Sequence, residues 1–227
     1  MTHENYQSFL GSDILEIVVV QLCDLLNEFG EESVKQDFLA NFSCPMNKDV
    51  EYFLKRKAIL YERMDKSRSY IVISVSGDIM RILGYFSLTS REIQFEENIS
   101  NRTRKKILGT GFEANSKISA ILIGQFSKNY SNNNNILITG KELFELAIHK
   151  AIQANRYIGG RIVYLECEDN PKLIKFYSNM GLDLYVNDHG IPVLSETGLL
   201  TFMKSIRNIV AVRKEHEKKP DRIVLRG

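Results

Sequence analysis

Ile162-Val-Tyr-Leu-Glu-Cys167, followed at once by Asn170-Pro-Lys-Leu-Ile-Lys-Phe-Tyr-Ser-Asn-Met-Gly181, decides the fold. The first run is short, apolar and headed by β-branched residues, as a strand covered on both faces requires. The second opens on Asn-Pro, a capping residue followed by a ring whose fixed φ suits the first helical position, and it closes on glycine. It reads as a helix. Upstream, Ile118-Ser-Ala-Ile-Leu-Ile123 is another buried strand. Thr139-Gly-Lys-Glu142 then forms a T-x-x-E capping box. It starts a helix with Leu143, Phe144, Ala147, Ile148, Ala151 and Ile152 on its buried stripe, expected to stop between Asn155 and Gly160. Strand, helix, strand of this apolarity implies a right-handed crossover between parallel neighbours. Leu182–Tyr185 and Leu199–Ile206 read as further strands.

Working outward, Tyr70-Ile-Val-Ile-Ser-Val75 and Ile82-Leu-Gly-Tyr-Phe-Ser-Leu88 read as antiparallel strands joined by a turn at Gly77-Asp78, with Ile93 and Phe95 extending the strand region. Gly84 inside the second strand marks a bulge or a close backbone approach. From Ser12 to Phe29 apolar residues fall at helical spacing, with Ser12 as cap and Gly30 as stop. Val18-Val19-Val20 pulls the same stretch toward a strand. A short helix is expected over Val34–Phe38, and another begins at Asn47 or Lys48 after the break at Cys44-Pro45. Residues 96–117 and 125–135 read as polar loops, the second with an asparagine run, and 213–227 as a basic extension. These patterns divide the chain into an acidic helical layer over 1–45, a main domain over 46–206 and a basic extension over 207–227.

The composition is that of a globular chain: 227 residues, 44% hydrophobic and 26% charged. The net charge of +2 implies no partner, but its distribution is uneven. Residues 1–45 carry eight acids against Lys35, whereas 101–117 and 204–227 are basic, a surface suited to an anionic partner such as RNA or the phosphates of a cofactor. Dimerisation through the acidic layer is the alternative use of 1–45. Cys23, Cys44 and Cys167 show neither metal spacing nor a disulfide framework and read as reduced core residues. His3, His149, His189 and His216 are scattered, so no metal is expected. No signal-peptide pattern opens the chain, and the apolar run Ile14–Leu26 is too short to span a bilayer, so a cytoplasmic protein without a membrane partner is expected.

The order of elements and the helix Asn170–Leu182, with Asn followed by Phe-Tyr and a Gly-hydrophobic ending, resemble the GNAT superfamily of acyl-CoA-dependent N-acetyltransferases. The likeness covers roughly 42–206. Phe42-Ser-Cys44, Val50-Glu-Tyr-Phe-Leu-Lys-Arg-Lys-Ala58 and the Gly84-Tyr-Phe strand are similar to the toxin-type subgroup that modifies aminoacyl-tRNA. The resemblance implies an α/β (α+β-like) fold: a mixed, mostly antiparallel sheet with one splayed parallel pair and flanking helices. It implies acetyl-CoA as co-substrate, held by Ile121, Leu122, Ile123, Thr139, Gly140, Lys141, Asn170 and Tyr177. Tyr177 matches the tyrosine that serves as general acid to the CoA thiolate. Glu166 or Glu168 is a candidate base, while Tyr85 and Cys167 read as core.

The chemistry can be stated without the family. Acetyl transfer needs the thioester beside a neutral amine, stabilisation of the carbonyl oxygen and a proton for the leaving thiolate. A helix N-terminus at Thr139-Gly140-Lys141 presents N–H groups to a pyrophosphate. One departure stands out. The family's phosphate loop reads Gln or Arg, two residues, Gly, one residue, then Gly or Ala. Here it reads Asn135-Ile-Leu-Ile-Thr-Gly140, with Ile138 where the inner glycine belongs. Three readings follow: an N-acetyltransferase acting on a small or macromolecular primary amine, one acting on the amino group of charged tRNA, or a non-catalytic binding module with a lost CoA site.

Overall fold

In the computed structural model, which describes residues 4–10, 13–76, 79–95, 101–109 and 116–218, the strands form one mixed sheet of order β1-β2-β3-β4-β5-β6-β8-β7. They are β1 (Glu4–Leu10), β2 (Asp13–Gln21), β3 (Arg68–Ser76), β4 (Ile79–Gln94), β5 (Lys117–Lys128), β6 (Ile162–Cys167), β7 (Asp183–Leu184) and β8 (Leu200–Ser205). Neighbours pair antiparallel from β1 to β4 and again at β6–β8 and β7–β8, while β5 and β6 are parallel. This is the mixed, mostly antiparallel sheet with one parallel pair that the sequence leads one to expect. The chain divides into two compact units, Met1–Thr89 with Ile123–Lys150 and Ser90–Leu122 with Ala151–Gly227.

In the first unit β2 runs straight into α1 (Leu22–Phe29). The helix expected from Ser12 is therefore a strand until Gln21, and Ser12 itself lies outside the described residues. Its valines explain the difference: Val18, Val19 and Val20 stand opposite Ile73, Val72 and Ile71 of β3, and β-branched pairs across a ladder outweigh the helical spacing. Then come α2 (Glu31–Ser33), which continues as a π-helical segment Val34–Leu39, and α3 (Lys48–Tyr52), which passes through a second π segment Phe53–Lys57 into α4 (Ala58–Arg63). Asn47 caps α3, its Oδ1 accepting from the N–H groups of Asp49 and Val50. One core joins both sides of the Cys44-Pro45 break, including Leu22, Leu39, Phe42, Leu54, Ile71 and Tyr85, all fully buried.

Gly84 meets both expectations placed on it. The β3–β4 register slips at Val72/Ile73, so that Val72 faces Gly84 and Ile73 faces Ile82. A Cβ at Gly84 would also stand 2.7 Å from the carbonyl oxygen of Ser127. The turn at Gly77-Asp78 lies outside the described residues.

The second unit has its own core of Phe95, Ile107, Leu108, Ile118, Ala120, Ile162, Tyr164, Tyr185 and Met203. Within the stretch expected to be loop, Asn101–Leu108 forms helix α5, because Ile107 and Leu108 are buried and the Arg161 guanidinium donates to the Leu108 carbonyl. Helix α6 (Gly140–Ile158) and α7 (Pro171–Asn179) begin where their caps predict. After β8 the chain continues as α8 (Ile206–Lys218), a helix where the sequence suggested only a polar extension; Ile206 is buried at its start.

Candidate functional site

The first unit supplies the end of β5, the asparagine turn and the start of α6. β5 extends to Lys128, so Gln125–Lys128 are strand and not loop as expected. Phe126 packs edge-on against Phe144 at 5.8 Å, and Ser127 is buried. Asn129 then anchors the turn. Its N–H donates to the Leu83 carbonyl at 2.7 Å and its Nδ2 to the Ile82 carbonyl at 2.9 Å. Its Oδ1 accepts from Ser43 N–H at 3.0 Å, Ser131 N–H at 3.1 Å and the Ser131 hydroxyl at 3.0 Å. From there Ser131–Ile136 form a 3₁₀ turn in which Asn132 and Asn133 have φ of 50° and 58°. Asparagine tolerates this left-handed region better than other residues with a Cβ, which gives the asparagine run a conformational reason.

At the start of α6 the capping box is complete: Thr139 N–H donates to Glu142 Oε2 at 2.8 Å, and Glu142 N–H to Thr139 Oγ1 at 3.1 Å. Helix geometry leaves four N–H groups at this end without intrahelical acceptors, and the box takes two of them. The N–H groups of Gly140 and Lys141 are the pair left to meet an anion. Ile138, the residue in place of the family's inner glycine, is 2% exposed. Its side chain is therefore packed within the protein. Ile123 is buried in this unit as well.

In the second unit the parallel β5–β6 ladder has three residue pairs, Ala120↔Ile162, Ile121↔Val163 and Leu122↔Tyr164. Ile121 is buried and Leu122 half-buried. After β6, Asn170 caps α7, its Oδ1 accepting from Lys172 N–H at 2.9 Å, with Pro171 in the first turn. Gly181, at φ 80°, ends the helix, and Leu182 N–H returns to the Tyr177 carbonyl at 3.2 Å. Tyr177 is buried, its ring 5.1 Å from Phe176 and 5.7 Å from Phe202.

No protein-family model matches the sequence, and no curated protein is similar to it at a significant level. Solved structures do match. A tyrosine-to-phenylalanine mutant of KacT is 17% identical, covering 86% of this chain and 98% of its own, with a TM-score of 0.60. AtaTR bound with acetyl-CoA is 19% identical over 87% of this chain and 98% of its own, with a TM-score of 0.59. AtaT complexed with acetyl-methionyl-tRNAfMet is 19% identical over 87% and 99%, also at 0.59. The chain has the GNAT fold.

Against that fold, the expected site residues separate into those with a visible structural task and those without one. Asn170 is a helix cap and Thr139 half of a capping box, whereas Gly140, Lys141 and Tyr177 have no capping role that accounts for them. Burial, and then the neighbouring Cys167 thiol, push the Tyr177 phenol well above its ordinary range. Burial likewise pushes the Cys167 thiol up to about 11, with Asp169 and Glu168 adding to the effect. Both groups hold their protons at neutral pH. Glu166 is half-buried on β6; burial raises its carboxyl, Glu196 adds to this, and a Ser195 hydrogen bond opposes it. Glu168 is exposed.

Sequence reasoning missed Asn129 and Arg161. The first lay inside a stretch dismissed as polar loop. The second lies just after Gly159-Gly160 and holds Leu108, 53 residues away. No local pattern marks either of them. Among the described residues no cluster of three or more His, Cys, Asp or Glu is arranged to hold a metal ion, and no helix is long and apolar enough to cross a membrane.

Proposed function

We propose that this chain is an N-acetyltransferase that moves an acetyl group from acetyl-CoA to a primary amine, with Tyr177 as general acid. The buried, proton-holding Tyr177 on the Asn-capped helix α7 of a GNAT fold carries the reading. The residues present fit the co-substrate: Gly140 and Lys141 N–H groups remain for a pyrophosphate at the start of a long helix, and the Ile138 side chain is packed within the protein. Ile121, Leu122 and Ile123 offer strand backbone to the pantetheine arm.

In the reaction the neutral amine nitrogen attacks the thioester carbonyl carbon, a C–N bond forms, the C–S bond breaks and its electron pair leaves on sulfur. Tyr177 gives its hydroxyl proton to that sulfur, and the proton shed by the nitrogen passes to solvent or to Glu166. Tyr177 contributes its proton only as the thiolate departs, so its loss should lower turnover without weakening co-substrate binding.

A second reading concerns the acceptor. AtaT is a toxin and has been seen complexed with acetyl-methionyl-tRNAfMet, and 204–227 of this chain is basic; these favour the amino group of charged tRNA as acceptor. Transfer of labelled acetyl from acetyl-CoA to free amino acids, peptides, uncharged tRNA and aminoacyl-tRNA tests both readings. Transfer to aminoacyl-tRNA, lowered by roughly two to four orders of magnitude in Tyr177→Phe with an unchanged Tm, is expected. Turnover equal to wild type in that variant removes Tyr177 from the mechanism, and transfer to none of these acceptors contradicts the enzyme reading.

A further inference from the structure

A groove of about 300 Å³ lies between the sheet and α1, wholly within the first unit. Its back wall is strand. Val18 and Val20 share one face of β2, and Ile73, which stands opposite Val18, shares that face of β3 with Val75. Its side wall is helix: Leu25 and Phe29 lie one turn apart on α1, and the Phe29 ring meets Phe38 at 5.2 Å. Val20, Leu25 and Ile73 are buried, whereas Phe29 and Met80 at the rim are 45% and 53% exposed. Apolar surface left open in this way and bordered by charge marks a place where another molecule packs. Acetyl transfer as described above uses none of these residues.

The border decides which molecule. Asp24 and Glu28 line the groove, both exposed and one turn apart on α1. Like charges at that spacing repel, a cost that a cation set between them removes. Neither makes an ion pair among the described residues. The Cys23 thiol donates to Asp24 at 3.7 Å, which leaves the carboxylate charge in place. No Lys, Arg or His lines the groove among the described residues. Residues 1–45 around it carry eight acids against Lys35, and Lys35 pairs with Glu31. A small apolar molecule would leave both carboxylates without a partner, and a metal ion would leave the apolar walls unused. A second copy presenting the same face would bring acid to acid. A helix with an apolar stripe flanked by cations satisfies walls and border together.

We infer that this groove docks a basic amphipathic helix of a partner protein, with its apolar stripe on Val18, Phe29 and Met80 and its lysines or arginines on Asp24 and Glu28. The surface stands apart from the acetyl-transfer reading.

Fluorescence anisotropy tests the inference, with a labelled synthetic helical peptide titrated by the full-length chain. The peptide carries leucine at every third or fourth position and lysine on the flanking positions. Saturable one-to-one binding that weakens with added salt is expected, and it is unchanged in Tyr177→Phe. Exchanging both acids, Asp24→Asn with Glu28→Gln, should weaken it roughly fivefold or more, and Phe29→Ala roughly tenfold or more. The two acids are exposed, so the double variant keeps the test informative if Phe29→Ala fails to fold. Affinity equal to wild type in the folded double variant overturns the inference, as does the absence of saturable binding up to high micromolar protein. Equally tight binding of a peptide with glutamine in place of lysine assigns the groove to apolar ligands and overturns it too. So does a dimer in sedimentation that Met80→Lys dissociates, which assigns the groove to a second copy. Failure of acetyl transfer leaves this surface standing, since no measurement here depends on turnover.

Discussion

The Asn129 side chain holds Ser43, Ile82 and Ser131 through separate bonds of 2.9 to 3.1 Å, so that three stretches distant in sequence depend on one buried amide. Asn129→Ala would leave the Ser43 N–H and the Ile82 carbonyl unpaired, and a loss of about 3 kcal/mol in denaturant unfolding is expected; a loss within experimental error would mean that water replaces the amide. Glu51 supports the neighbouring helix differently. Its carboxylate accepts from Cys44 N–H at 2.9 Å and pairs with Lys48 and Lys55 at 3.1 Å. The Cys44 N–H above all, then the lysines, hold its carboxyl down to about 2 from the usual 4.5. A depressed carboxylate stabilises fully above its unfolded value, and the contribution fades as pH falls from 4.5 toward 2. Glu51→Gln should therefore be less stable than wild type at pH 7, with the gap closing below pH 4.5. A gap that stays constant across this range would contradict the assignment.

At the scale of elements, the bulge at Gly84 and its approach to Ser127 hold β4 against the end of β5. A methyl group there meets backbone, which moves less readily than a side chain. Gly84→Ala should lose about 1–3 kcal/mol by thermal unfolding, and no loss would show that the strands can part at little cost. Elements with local signals were legible in the sequence: β6 from its apolar β-branched run, α7 from Asn170-Pro171 and Gly181, α6 from Thr139 and Glu142. β2 was not, because its apolar residues also fit a helical stripe and only their partners on β3 decide between the two. α5 hid behind Arg102, Arg104, Lys105 and Lys106, since Ile107 and Leu108, which anchor it, look like a minor apolar pair in a basic stretch. Within the candidate site, the place of Tyr177 on the Asn-capped helix α7 was legible from its motif. The apolar groove beside α1 was not, because its walls come from residues near 18, 25, 38, 73 and 80 and no spacing connects them.

For the whole molecule, the altered phosphate loop is where an acetyltransferase and a fold kept for binding alone part company. The sequence shows Ile138 in place of a glycine and suggests crowding; the structure buries that side chain and leaves the Gly140 and Lys141 N–H groups at the head of a 19-residue helix. The aligned peptide dipoles of such a helix favour an anion at this end. Calorimetric titration of the full-length chain with acetyl-CoA tests this most directly. Saturable one-to-one binding, retained in Tyr177→Phe and weakened by Gly140→Pro, which removes one of the two N–H groups, is the predicted result. No heat of binding up to high micromolar acetyl-CoA, from a chain shown to be folded, would contradict the account and leave the fold as a scaffold for partners alone.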